Sequence, residues 1–91
     1  MYAVRVSGPE SDPDAGWAIR GALDAAGNVL VITVGRVVNA EKCKTLEEAE
    51  ALAFLLVSQR LELMTRVKIK KLKESEKHRW VVDREVESCT P

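Results

Sequence analysis

The sequence predicts an α+β domain in which one long helix packs across one face of an antiparallel sheet. Two observations support this fold class. Five short segments show the alternating or continuous apolar pattern of β-strands, and a single segment, 45–65, has apolar residues at helical spacing. The predicted element order is therefore β-β-β-α-β-β, because a helix laid across the sheet buries the apolar surfaces of both.

The length and composition predict one ordinary globular domain. We place the compact domain at 1–86 and a frayed C-terminal tail at 87–91. Apolar residues make up 46% of the chain and charged residues 31%, with a formal net charge of zero. There is no signal-peptide pattern and no apolar stretch near the ~20 residues of a membrane span. We therefore expect a cytoplasmic protein without membrane contact, in which Cys43 and Cys89 are free thiols.

Three strands are predicted before the helix. The opening YAVRV and the segment 16–23 both alternate apolar side chains with small or polar ones, as half-exposed strands do. The connection DAAGN at 24–28 predicts a hairpin, with Gly27 available for positive φ. The third strand, VLVITV at 29–34, is apolar on both faces, so we expect it in the middle of the sheet beneath the helix.

The helix at 45–65 has the strongest local signals. Thr45 stands at the N-cap position, where its hydroxyl can accept from the Glu48 N–H while the Glu48 carboxylate accepts from the Thr45 N–H. The apolar residues fill an arc of roughly 200°, about twice the width of one core-facing stripe, and Leu55 lies alone on the opposite side. Surplus apolar surface is therefore predicted, which could support a homodimer through helix 45–65.

Two more strands, 66–73 and 79–86, are predicted after the helix, and the first of them is basic. Half of all Lys and Arg residues lie between Arg66 and Arg79, directly before Trp80. Three explanations are open. The lysines could protect an edge strand and pair with Asp83 and Glu85 across the hairpin, which is the strongest explanation; they could bind an acidic protein partner; or they could follow a phosphate backbone while Trp80 stacks on a base.

The residues that we predict to contact a partner come from the helix and from this basic region. They are Leu55, Arg66, Lys68, Lys70, Lys71, Lys73 and Trp80.

Catalytic, metal and cofactor sites are not predicted. The single histidine, His78, lies in a predicted turn without a nucleophile at a suitable spacing, and the two cysteines form no metal-binding pair. The acidic loop at 10–14 lacks the glycine and the final glutamate of an EF-hand. No glycine-rich phosphate loop opens the helix. We therefore expect a protein that is not an enzyme and needs no cofactor.

Several features together resemble small accessory proteins of phages and mobile elements. They are the YAVRV opening strand, a tryptophan in the second strand, the D-x-x-G-N hairpin and the T-L-E-E-A helix start followed by a basic strand. Some proteins of this kind are anti-CRISPR or other anti-defence inhibitors. The resemblance spans roughly Tyr2 to Val86 and implies stoichiometric occupation of a surface on a nuclease or on nucleic acid. It carries no functional residue across.

We therefore expect a non-enzymatic binding module that acts through protein–protein interaction. An inhibitor of a host defence complex is one form of this function. Nucleic-acid binding through 66–79 is the alternative, and a structural subunit of a phage or bacterial assembly is the third hypothesis.

Overall fold

The computed structural model describes residues 1–86, which form one five-stranded antiparallel sheet with a single long helix on one face. This confirms the predicted fold class and element order. The predicted tail at 87–91, which includes Cys89, lies outside the described residues. The elements are β1 (Tyr2–Val6), β2 (Gly16–Leu23), β3 (Val29–Val34), α1 (Leu46–Gln59), β4 (Val67–Glu74) and β5 (Trp80–Val86), with short 3-10 segments at Val37–Asn39 and Leu61–Arg66.

The strand order, β3-β2-β1-β4-β5, corrects the predicted positions of three strands. β1, predicted to be half-exposed, is central, and its residues Ala3, Val4 and Val6 are fully buried. β3, predicted in the middle, is an edge strand whose Val29 and Ile32 are exposed. β4, predicted at an edge, lies between β1 and β5. The reason is that an apolar pattern reports how far a strand's two faces are covered and carries no information on which strands pair with it.

The β2–β3 hairpin has the turn chemistry that its sequence predicts. The Asp24 carboxylate accepts from the N–H groups of Ala26 and Asn28, at 2.9 and 2.8 Å. Gly27 has the predicted positive φ, at +84°. These local bonds fix the connection and with it the register of the hairpin.

The β4–β5 hairpin contains a β-bulge. Its register passes from the pair Lys71–Arg84 to the pair Leu72–Val82, so that Asp83 is the extra residue. The bulge lies in β5, and β4 therefore keeps a regular alternation of side chains along its length.

The chain between β3 and α1 fills an opening between β1 and β2, which pair only near the 7–15 loop. Cys43 and Tyr2 exchange both backbone hydrogen bonds at 2.8 Å, and the Glu41 N–H donates to the Ala18 carbonyl at 3.4 Å. This segment thus completes the hydrogen bonding of both strands where they separate.

Apolar residues pack on both faces of the sheet. The larger cluster lies under α1 and includes Val4, Val6, Ala18, Val31, Cys43, Ala49, Leu52, Ala53, Leu56, Leu63 and Ile69. The smaller cluster lies on the opposite face, which we call the helix-free face, and consists of Ala3, Trp17, Ala40 and Leu72, with Val34, Val37 and Trp80 against it. Trp17 is 4% exposed and is therefore part of this second core.

The helix begins where the sequence predicts and ends sooner. α1 stops at Gln59, and Arg60 leaves the helical conformation with φ −134° and ψ 71°. The chain then continues as the 3-10 segment Leu61–Arg66, so the predicted extension of the helix to Thr65 is wrong. The apolar spacing alone did not show this change, because Leu63 is buried in either helical form.

Thr45 is the N-cap, as predicted, and its hydroxyl accepts from the Glu48 N–H at 3.2 Å. The return bond differs from the prediction. The Glu48 carboxylate accepts from the N–H of Lys44, at 2.9 Å, in place of the N–H of Thr45. Both hydrogen bonds of a capping box are therefore present, but the donor to the Glu48 carboxylate is Lys44, one residue before Thr45.

Replacing the cap hydroxyl tests this boundary. Thr45→Ala should lower the free energy of unfolding by about 1 kcal/mol and the melting temperature by several degrees, because the Glu48 N–H loses its acceptor. Thr45→Ser keeps the hydroxyl and should be nearly silent. Urea denaturation followed by circular dichroism measures both; a stabilised Thr45→Ala variant would mean that the helix begins before residue 45.

Candidate functional site

The predicted basic row on β4 is divided between the two faces of the sheet. Lys68 lies opposite Arg5, which stands over the Trp17 ring on the helix-free face. Lys71 lies opposite Tyr2, whose side chain packs against the cluster under α1. Because side chains alternate along a strand, Lys68 and Lys70 share the helix-free face and Lys71 and Lys73 share the other. The four lysines therefore do not form one surface.

Two of these lysines pair with carboxylates of β5. Lys70 donates to Glu85 at 2.8 Å, and the Lys73 ammonium lies 3.7 Å from Asp83. The hydrogen bond from Lys70 holds the pKa of Glu85 below its usual range. The cross-strand pairing expected for these residues is present, but β4 is an interior strand, so its lysines do not protect an edge.

Arg66 belongs to an internal contact. Its Nε donates to the Ser7 carbonyl at 2.8 Å, and its guanidinium pairs with the Asp12 carboxylate. Arg60 pairs in the same way with Asp14, at 3.1 Å. The acidic loop is therefore fastened to the chain after α1 through two arginines, and Arg66 is already engaged inside the fold.

The two apolar candidates, Leu55 and Trp80, pack against other residues of the fold. Leu55 is half-buried and packs against the cluster under α1, so the prediction that it lies alone on a polar side is wrong. Trp80 is half-buried against the smaller cluster, and the Lys42 ammonium lies 6.0 Å from the centre of its ring. Burial lowers the pKa of Lys42, whose ammonium also donates to the Val37 carbonyl at 3.1 Å.

A different set of large apolar side chains is exposed. Phe54 is 76% exposed on α1, and Leu61 and Met64 are 68% and 53% exposed on the following 3-10 segment. We call these three residues the helical apolar surface. At 100° per residue, Phe54 lies about 150° from the centre of the buried stripe of α1, whereas Leu55 lies about 110° away. Phe54 was within the predicted apolar arc, at its edge, and the sheet covers only part of that arc.

The 3-10 geometry explains why Leu61 and Met64 are exposed together. With three residues per turn, positions i and i+3 lie one above the other. Leu63 and Arg66 therefore share the inward side, where Leu63 is 2% exposed, and Leu61 and Met64 share an outward side. An α-helix through Thr65 would have offset Leu61 and Met64 by about 60° around its axis.

A second feature that sequence reasoning missed is a pair of like charges. Arg5 and Lys68 are direct cross-strand neighbours on the helix-free face. Within residues 1–86, neither side chain forms a salt bridge, and the Arg5 guanidinium lies 5.2 Å from the centre of the Trp17 ring. Like charges placed directly opposite each other destabilise a sheet, so this pair is a candidate anion contact. Only the β1–β4 register reveals it.

The one cysteine within residues 1–86 is buried, whereas the one histidine is exposed. Cys43 is 3% exposed, and burial raises the pKa of its thiol. His78 is exposed in the β4–β5 turn, where its Nδ1 lies 3.3 Å from the Glu74 carboxylate. Among the residues that the structure describes, no three His, Cys, Asp or Glu side chains are grouped so as to hold a metal ion.

A cleft of about 230 Å³ lies between β3, the end of α1 and the acidic loop. Val31, Leu56 and Leu63 supply apolar lining, and the Asp14–Arg60 ion pair also lines it. The lining therefore combines an apolar floor with one ion pair and the Thr33 side chain.

Comparison with known proteins gives no identification. No protein-family model, curated protein or solved structure matches this chain. In the described part of the chain, no helix is long and apolar enough to cross a membrane.

The Asp12–Arg66 contact gives a pH-dependent prediction. The N–H of Asp14 and the Arg66 guanidinium hold the pKa of Asp12 below its usual range, so folding favours the ionised carboxylate. This stabilisation is present above the ordinary carboxyl pKa and is lost as pH falls through the lower folded-state value. Asp12→Asn should therefore lower the melting temperature at pH 7 and have little effect near pH 2.

The matched control is Glu10→Gln, which removes a carboxylate from the same loop. Thermal unfolding is followed at both pH values for the two variants. Equal destabilisation by Asp12→Asn at both pH values would contradict a charge-dependent contact.

Proposed function

We propose that this protein is a non-enzymatic binding module that acts stoichiometrically through contact with another protein. The observation that supports this proposal is the exposure of Phe54 on α1 and of Leu61 and Met64 on the 3-10 segment that follows it. Complete burial of such a side chain stabilises a complex by roughly 1.5–3 kcal/mol. Three anchors of this kind suffice for a specific contact when the surrounding residues exclude water.

The surroundings of Phe54 favour a groove on the partner. Its exposed neighbours one turn away along α1 are Glu50, Ala51 and Ser58, which are either small or acidic. An apolar groove with basic residues at its rim would complement this face of the helix, which is the helix-in-groove mode of recognition.

The resemblance to phage accessory proteins suggests what the partner is. It favours a nuclease of a host defence complex as the partner. This protein would act by occupying a surface of that nuclease. Stoichiometric inhibition requires a surface and no catalytic group, and the helical apolar surface would supply the contact. A second copy of the chain, forming a homodimer through α1 and the 3-10 segment, is the other partner that this surface could bind.

Adding a charge to the helical apolar surface tests the proposal. A protein captured from host-cell extract by the immobilised chain is purified and titrated by calorimetry, and sedimentation of the chain alone measures self-association. Phe54→Glu should weaken whichever complex forms at least about tenfold, since it places a charge in an apolar contact. Its melting temperature should stay close to that of the original chain, because Phe54 packs little within the fold.

The control for added charge is Ser11→Glu, at an exposed position of the acidic loop that is not part of the helical apolar surface. It should bind as the unmodified protein does. Unchanged affinity in Phe54→Glu, Leu61→Glu and Met64→Glu would exclude the helical apolar surface as the binding site.

Nucleic-acid binding is a second candidate, favoured by one observation. Arg5 and Lys68 place two cations side by side on the helix-free face, at the spacing of directly paired β residues. Lys70 is also on this face, but it is paired with Glu85. Such a small cluster would contact few phosphates and would bind weakly at physiological salt.

The two faces of β4 offer a matched test of this candidate. If phosphates bind the helix-free face, Arg5→Gln and Lys68→Gln should each weaken binding of a 20-nucleotide DNA or RNA and lower the salt dependence by about one contact. Lys71→Gln, on the opposite face, should have no effect. Fluorescence anisotropy at low salt measures the affinity, and no binding there would end this candidate.

A further inference from the structure

The two edges of the sheet are protected to very different degrees. β5 carries the bulge at Asp83 and the exposed charges of Asp83, Arg84 and Glu85, all of which discourage pairing with another strand. Although Gly21 of β2 forms a bulge opposite Leu30 and Val31, β3 itself is six residues of VLVITV without a charge or a proline. Its exposed Val29 and Ile32 add apolar surface to an edge of the kind that pairs with other strands.

One side chain covers part of the β3 edge. The Gln59 amide at the end of α1 donates to the Val29 carbonyl at 2.6 Å and accepts from the Val31 N–H at 2.9 Å. A carbonyl and an N–H two residues apart are the groups that one residue of a neighbouring parallel strand would bind. The Gln59 amide thus takes the place of a peptide group beside β3.

The bonds of Gln59 also identify which backbone groups of β3 point outward. Residues 29, 31 and 33 share this direction, because backbone polar groups alternate along a strand and those of the intervening residues face β2. Gln59 satisfies only two of these groups. The Val31 carbonyl and the backbone N–H and carbonyl of Thr33 have no hydrogen-bond partner among residues 1–86, whereas the Thr33 hydroxyl donates to the Pro13 carbonyl of the acidic loop at 3.4 Å.

We propose that the β3 edge is a pairing surface for a second copy of this chain, and that Gln59 controls access to it. The outward residues lie symmetrically about Val31. A two-fold axis at Val31 therefore pairs Val31 with its equivalent and Val29 with Thr33 of the other copy, so that every outward group of both strands is bonded. The two sheets would join into one continuous antiparallel sheet.

The side chains fit this arrangement. In the same register Ile32, which is 43% exposed, lies opposite Leu30 of the other copy, so an apolar pair forms on the helix-free face. β3 contains no charged residue, so the symmetric pairing brings no like charges together within the strands. β5 contains charged residues, so its symmetric pairing with a second copy would not be free of charges in this way.

Gln59 competes with the second copy for the Val29 and Val31 groups. Pairing requires its amide to leave the edge, so its two bonds are lost in each copy before the new backbone bonds form. The proposal is independent of the helical apolar surface, since Phe54 and β3 are different surfaces of the protein.

Sedimentation velocity between 1 µM and 1 mM tests the proposal on the full chain. Gln59→Ala should tighten dimerisation about tenfold or more, because the competing bonds are absent. In this variant, hydrogen exchange of the Thr33 N–H should slow as the dimer forms. Ser58→Ala, at the adjacent helical position, should leave the association constant unchanged.

A second substitution shows whether β3 forms the contact. Thr33→Pro removes an outward N–H without touching the β2–β3 bonds, so in the Gln59→Ala background it should restore the monomer. Thr33→Val keeps the N–H and should leave the dimer intact. A Gln59→Ala variant that stays monomeric at 1 mM, that forms open-ended aggregates, or whose dimer survives Thr33→Pro while being lost in Phe54→Glu would overturn the proposal.

Discussion

The burial of β1 on both faces is the constraint on which the rest of the structure depends. β1 packs under α1 through Val4 and Val6, and its Ala3 lies in the smaller cluster on the helix-free face. A central strand needs hydrogen-bonding partners along both sides, yet β2 pairs with it only near the 7–15 loop. The segment around Cys43 supplies the missing partner for Tyr2. The helix, the second core and the connection to α1 are therefore all positioned by this one strand.

Local features of the fold could be predicted because they depend on neighbouring residues. Thr45 and Glu48 define the start of α1, and Asp24 and Gly27 define a hairpin, through groups only a few positions apart. Strand order could not be predicted in the same way. β3 is as apolar as an interior strand, but its position depends on pairings between distant segments and on the cover that the end of α1 provides.

The candidate site could likewise be predicted only where it depends on residues close together in the sequence. The arc of apolar residues correctly indicated more apolar surface than one sheet can cover, but Phe54 and not Leu55 is the side chain left exposed. The choice between them depends on how α1 is rotated on the sheet, which the small residues Ala49 and Ala53 set by allowing close approach. Likewise, the β4 lysines are adjacent in the sequence and separated in space, because a strand sends alternate side chains to opposite faces.

The pairing of β1 with β4 has a consequence for the synthesis of the chain. Tyr2 aligns with Lys71, so β1 acquires one of its two neighbours only after the helix and β4 have been synthesised. The segment around Cys43, which completes the other side, also follows long after it. Contacts between such distant residues slow folding, since a long loop must close before they form. During synthesis β1 therefore stays without this neighbour until β4 has been made.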